Sequence, residues 1–208
     1  MAYIDKKIAM LERQVRLQEK DATEKEKQRE QSMENQLTLE EVLEAVREGV
    51  VIFPNKEKYD FTVRTVMSEQ IPALFIKGIY TGVKEEDAVA IYVDHDRGIS
   101  QCFTMADVPI TKGSIGEWKK LFQDGMRKMK VYEEVLCEKV LDNLDYIIYR
   151  TPAGSEWIYN VAFRIRKGSG RVFGTYNCYE KNKDTYGIML EALVIRLNEL
   201  LSEDVKVS

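Results

Sequence analysis

Histidine is nearly missing: the 208 residues hold one, His95. A Ser-His-Asp or Cys-His enzyme would have to use it, and no G-x-S-x-G nucleophile elbow occurs. Cysteine is almost as sparse. Cys102, Cys137 and Cys178 are far apart, odd in number and never in a C-x-x-C spacing, so neither a zinc knuckle nor a redox pair is written here. Each falls in a predicted strand, and the expectation is a buried, reduced thiol. No apolar run reaches the about 7–15 residues of a secretory signal or the about 20 of a spanning helix. The expected protein is soluble, without a membrane span and, unless a leader was removed, cytoplasmic. A basic excess is lacking too. The net charge is −4, which argues against a general nucleic-acid binder.

What is present is enough for a core. The hydrophobic fraction is 44%, and the length suits one well-cored domain plus an extension. Residues 1–36 have the character of the extension. They are rich in charge and glutamine, with Lys and Arg balancing Asp and Glu, and hold neither glycine nor proline, so a helix is permitted throughout. Ile4, Ile8, Leu11 and Val15 recur at spacings of four, three and four, a short seam that continues in register through Gln18 and Ala22. The expectation is a charged helical arm that pairs protomers as a short coiled coil or contacts a partner. The alternative is a solvated helix docked by its first turns.

Residues 37–208 read as one α+β domain. Thr38 with Glu41 and Ser114 with Glu117 are capping boxes that open two helices. The first has a stripe of Leu39, Val42, Leu43 and Val46, stopped by Gly49. The second has a stripe of Ile115, Trp118, Phe122, Met126 and Met129. Strands are predicted after Gly49, at residues 61–66, 73–81, 88–93, 99–105, 135–141 and 146–150, with Val83–Asp87 a polar hairpin loop. From Trp157 to Arg166 the alternation is almost unbroken: Trp157, Tyr159, Val161, Phe163 and Ile165 share one face. Lys167-Gly168-Ser169-Gly170 turns the chain, because glycine accepts positive φ at no steric cost. Arg171–Tyr179 returns as the partner strand. A helix from Asp184 or Thr185 to Leu201 then buries Tyr186, Leu190, Leu193, Leu197 and Leu200. Consecutive hairpins with few helices define an antiparallel sheet flanked by helices, not a doubly wound parallel one.

The order from Ser114 to Leu201 is capped helix, strands 135–141, 146–150, 156–166 and 171–179, then closing helix. It resembles the PsbP-like α/β/α sandwich, whose relatives include a Ran-binding nuclear-transport factor and bacterial DcrB-like proteins. The resemblance implies an α/β/α sandwich and a binding or assembly-assisting role without catalysis. It carries no binding residue across, and the charged arm departs from its pattern.

Candidate sites follow from chemistry. Arg164, Arg166, Lys167 and Arg171 gather at the hairpin end. Arg164 and Arg166 lie on the strand face opposite Phe163, so an open face there would offer planar, bidentate donors to an acidic protein or a phosphorylated ligand. A solvated edge that discourages aggregation is the plainer reading. Trp157, Tyr159 and Tyr176, with Tyr179, could line a pocket for a hydrophobic small molecule in a helix-grip cup under the last helix; aromatic residues on strands are more often core. Asp94-His95-Asp96 lacks the ligand number and spacing of a zinc or calcium site and reads as a solvated turn. Gly168-Ser169-Gly170 leads into a strand and not a helix N-terminus, so it is a hairpin turn and not a phosphate cradle. Carboxylates such as Asp94, Asp96 and Glu138 could do acid–base work only if the fold brought them together. The reading is a non-enzymatic protein-binding or assembly-assisting domain, with no catalytic set, no metal and no cofactor. The alternative is the hydrophobic cup.

Overall fold

The strongest local signals seed the architecture. In a computed structural model, which describes residues 36–68, 70–110 and 113–203, α1 (Leu39–Glu48) starts at the Thr38–Glu41 capping box and stops at Gly49, whose φ of 91° only glycine adopts freely. Three short strands follow, β1 (Val50–Ile52), β2 (Lys58–Val66) and β3 (Ile71–Ile76), and form a sheet of order β1-β2-β3. Next come β4 (Gly82–Glu86), β5 (Val89–Asp94), β6 (Ile99–Met105) and the helix α2 (Ile115–Lys128). Then β7 (Glu134–Val140), β8 (Leu144–Ala153), β9 (Glu156–Ile165) and β10 (Val172–Tyr179) complete a seven-stranded sheet of order β4-β5-β6-β10-β9-β8-β7. Every pairing in both sheets is antiparallel. A π-helical turn, Lys183–Gly187, leads into α3 (Ile188–Ser202).

The large sheet is covered on both faces. Tyr159, Val161, Phe163 and Ile165 of β9 face a core shared with α3, as their alternation requires. Ten of the fifteen residues of α3 are buried, because it lies between the large sheet and α1 with β3. Ile147, Tyr149 and Ala162 point the other way and meet Ile115, Trp118, Phe122 and Met126 of α2. The domain is thus α+β, an antiparallel sheet between helices. The arm expected at 1–36, with its seam, lies outside the described residues. Among the described residues no helix is long and apolar enough to cross a membrane.

Several boundaries differ from expectation. The strand expected at 61–66 already starts at Lys58. The one at 73–81 is β3 and ends at Ile76, and the one at 146–150 is β8 and runs from Leu144 to Ala153. Val83 to Glu86 is not a loop but the edge strand β4, paired with β5 through its main chain. Its charged side chains read as loop, yet charge is what an exposed edge carries to deter further pairing. Met129 lies past the end of α2 and is 66% exposed, so the buried stripe ends at Met126. The last helix begins three residues later than expected, because its lead-in turn is π-helical.

Glu199 of α3 ties α1 in place, accepting from Arg47 Nε at 3.2 Å and from Arg196 Nη1 at 3.0 Å. The Arg47 hydrogen bonds hold its carboxyl below the ordinary value of 4.5. A lowered carboxyl contributes stability above its unfolded value and loses it as the pH falls through the folded one. Glu199→Gln should therefore cost less than about 1 kcal/mol at neutral pH, given its partial exposure, and nothing once the solution is acid enough to protonate Glu199. Urea titrations of both proteins at the two pH values check this; an equal deficit at both would exclude the ion pair as its source.

Candidate functional site: an apolar groove between α2 and β10

Of the four cations at the β9–β10 turn, Arg164 is buried, Arg171 half-buried, and Arg166 and Lys167 exposed. Arg164 is 1% exposed. Its Nε and Nη2 reach Asp145 Oδ2 at 2.9 and 2.7 Å, its Nη1 donates to Ile110 O at 3.2 Å and its Nη2 to Gly113 O at 2.9 Å. The guanidinium carbon sits 5.2 Å from the centre of the Trp118 ring. Asp145 is its direct cross-strand neighbour on β8, so the pairing is built into the sheet register. Arg166 Nε lies 3.1 Å from Asp145 Oδ1, and its Nη2 donates to Leu141 O and Asp142 O. Lys167 Nζ donates to Leu201 O at the end of α3, and Arg171 Nη2 lies 3.1 Å from Met105 Sδ. The expected open face is closed at Arg164 because α2 covers it. Alternation placed Arg164 correctly opposite Phe163 but could not show what lies on top.

The hydrophobic cup under α3 is likewise filled. Tyr176 is wholly buried, its ring 5.6 Å from that of Phe103 and 5.1 Å from that of Phe163, and burial pushes its hydroxyl well above the usual tyrosine range. Tyr159 is buried in the same core against Gly187, where an added Cβ would lie 3.0 Å from its ring. Trp157, at the start of β9, packs edge-on to Tyr132 at 6.0 Å with the Arg150 guanidinium 4.9 Å from its ring.

The remaining candidates are structural. Asp94 is fully buried and accepts from Asp96 N, Arg97 N and Arg97 Nη1, which pins the β5–β6 turn. The expected solvated turn is thus anchored at its first residue. His95 uses its main-chain N–H to bond Thr81 Oγ1. Glu138 pairs with Lys119 at 2.6 Å, away from Asp94 in the sheet order. Among the described residues no three His, Cys, Asp or Glu come close enough to share a metal. Gly168 and Gly170 take positive φ, of 76° and 65°, in the turn between β9 and β10. All three cysteines lie on strands, but only Cys178 is buried, its thiol pushed up to about 12 by burial. Cys102 and Cys137 are half-buried, Cys102 because it faces the side that α2 leaves open.

A sizeable concavity among the described residues was not anticipated from the sequence. α2 packs over β7, β8 and β9 and stops short of β10, leaving a cavity of about 500 Å³ between them. Trp118, Leu121 and Phe122 of α2 form one wall, Pro109 and Ile110 another, and Ala162, Phe173 and Thr175 the floor and far side. Its rim is apolar as well. Of its lining residues, Leu121 is 68% and Phe173 36% exposed. Two sequence signals could have found it. Leu121 is a large apolar residue beside the α2 stripe, and Phe173 falls on the β10 face opposite Val172 and Tyr176. Next to the groove, the outward faces of β10, β6 and β5 run Thr175–Cys102–Ile91 across the strands, without a charge.

The class is an α+β sandwich of antiparallel sheet and helices, similar in fold to solved structures of PsbP-like fold. The chain is similar to the Saccharomyces cerevisiae Ran-binding protein Mog1p, with 14% identity and a TM-score of 0.45 over 69% of this chain and 93% of that one. It is also similar to cyanobacterial PsbP (CyanoP) from Synechocystis, with 14% identity and a TM-score of 0.46 over 64% and 88%. No protein-family model matches the sequence, and no curated protein matches it significantly.

Proposed function

We propose that this is a protein-binding domain whose docking site is the groove between α2 and β10, taking bulky apolar side chains of a partner segment. The observation that carries this is the apolar rim. Leu121 and Phe173 line the cavity yet stand 68% and 36% exposed, so an occupant confined to the cavity would still leave their outer sides in water. A polypeptide laid along α2 would fill the cavity with one or two side chains and cover the rim with its neighbours. Apolar surface removed from water is worth about 25 cal/mol per Å², so the exposed rim is a standing cost that a partner removes. The lining offers almost no polar group to orient a small ligand, whereas the ligand sites of proteins usually hold a few. Arg164 is not offered to an acidic partner in this reading, because its donors are spent within the chain.

The experiment is photo-crosslinking from position 121 in the native cell, with Leu121 replaced by a benzophenone amino acid. A discrete protein adduct is expected, and it should be lost from protein that also carries Phe173→Asp. Binding of the recovered partner to a Leu121→Asp, Phe173→Asp variant should be weaker by about tenfold or more, with the melting temperature little changed because both side chains are exposed. A crosslinked small mass in place of a protein, or binding unaffected by both aspartates, would sink the proposal.

A further inference from the structure

We infer that the buried Asp145–Arg164 pair is the positioning element of the groove, holding its outer wall and the Trp118 indole in place from the sheet beneath; the inference rests on the groove being the docking site.

The geometry distributes one guanidinium over three parts of the groove. Two of its contacts go down to Asp145 on β8, at 2.9 and 2.7 Å. Two go out to main-chain carbonyls, Ile110 O at 3.2 Å and Gly113 O at 2.9 Å, at the two ends of the connection that enters α2. Its guanidinium carbon lies over the Trp118 ring, 5.2 Å from the ring centre. Ile110 and Trp118 line the cavity, so both are set by the same side chain. The wall is tied on its other side by main-chain bonds from Ala106 N to Arg171 O and from Ile110 N to Gly170 O, each 2.9 Å. Arg164 closes the remaining side.

Arginine suits the task for physical reasons. Its planar fork can hold a carboxylate and two carbonyls while stacking on an indole, which lysine cannot do. A buried ion pair adds little net stability over apolar residues of the same volume, since desolvation offsets the attraction. What the pair supplies is direction, because each donor has a fixed angle. α2 needs such a guide: none of its residues is fully buried, so its own packing leaves its placement loosely set.

The test uses the full chain with Trp157→Phe, which leaves Trp118 as the sole indole. Acrylamide quenching of Trp118 and binding of 1-anilinonaphthalene-8-sulfonate are read in three proteins: this background, Asp145→Leu with Arg164→Met, and Arg164→Lys alone. The double change removes both charges together, leaving exposed Arg166 solvated. The lysine keeps a charge opposite Asp145 but cannot reach both carbonyls, so it remains informative where the double variant fails to fold. In folded protein, quenching is expected to rise about twofold and probe affinity to fall about tenfold, as a loosened wall implies. Lysine alone with unchanged quenching and unchanged probe affinity would overturn the inference and leave the pair merely structural. Failure of docking is seen separately, as absence of a protein crosslink at position 121 in the unaltered chain, whatever Trp118 reports.

Discussion

Phe163→Ala is expected to destabilise the domain by about 3–5 kcal/mol, the usual range for emptying a phenylalanine site in a core. Phe163 is wholly buried, and its ring packs edge-to-face on Phe103 at 5.6 Å and on Tyr176 at 5.1 Å. Such aromatic pairs add to the loss of buried area. The neighbours cannot close the space easily. Phe103 and Tyr176 belong to adjacent strands β6 and β10 whose spacing the ladder sets, and α3 on the other side is held along its length. With small domains stable by about 5–15 kcal/mol, this one change should move the urea midpoint to a large fraction of the way toward zero. A midpoint shift equivalent to under about 1 kcal/mol would mean that the core can collapse around the gap.

Gly174→Ala is expected to cost about 1–3 kcal/mol, at the upper end of that range. An added Cβ would stand 2.3 Å from Phe163 Cζ and 2.5 Å from the main-chain oxygen of Cys102. The ring could swing, but the carbonyl belongs to the β6–β10 ladder and cannot move without breaking pairing. Against this, alanine in a strand is favoured over glycine by about 0.5–1 kcal/mol. The steric term is larger, so the sign is destabilising. The two substitutions should couple. In a Phe163→Ala background the ring contact is gone and the carbonyl contact stays, so Gly174→Ala should cost less there by about 1 kcal/mol or more. Equal costs in both backgrounds would place the strain wholly at Cys102.

These two positions also show how far the chain can be read without its fold. Phe163 is legible: it stands in the middle of an alternating run, and a two-residue period can put it only on the face with Val161 and Ile165. Gly174 is not. As one glycine in a strand it signals a close approach, but the ring it accommodates is eleven residues away, across a hairpin. The capping boxes at Thr38 and Ser114 were legible because each joins a side chain to a main-chain group three residues on. β4 was misread because its side chains are charged and its strand character lies in main-chain bonds to β5.

The site follows the same division. Arg164 was read as a candidate donor to an acidic partner, on the strand face opposite Phe163. Its role was beyond reach because its partners are distant along the chain: Asp145 nineteen residues away, Gly113 fifty-one, Ile110 fifty-four. Periodicity tells which side chains share a face. It does not tell which helix will cover that face, or how much of it.

The sequence by itself determined the local elements, their caps and turns, the apolar face of β9 and the antiparallel α+β class, since all of these rest on contacts within a few residues or on a repeat of two or 3.6. The tertiary structure alone decided that α2 lies over Arg164 and ends short of β10. That one offset buries the Asp145–Arg164 pair and opens the groove beside it, because packing positions are set by side chains that meet only after the chain has folded.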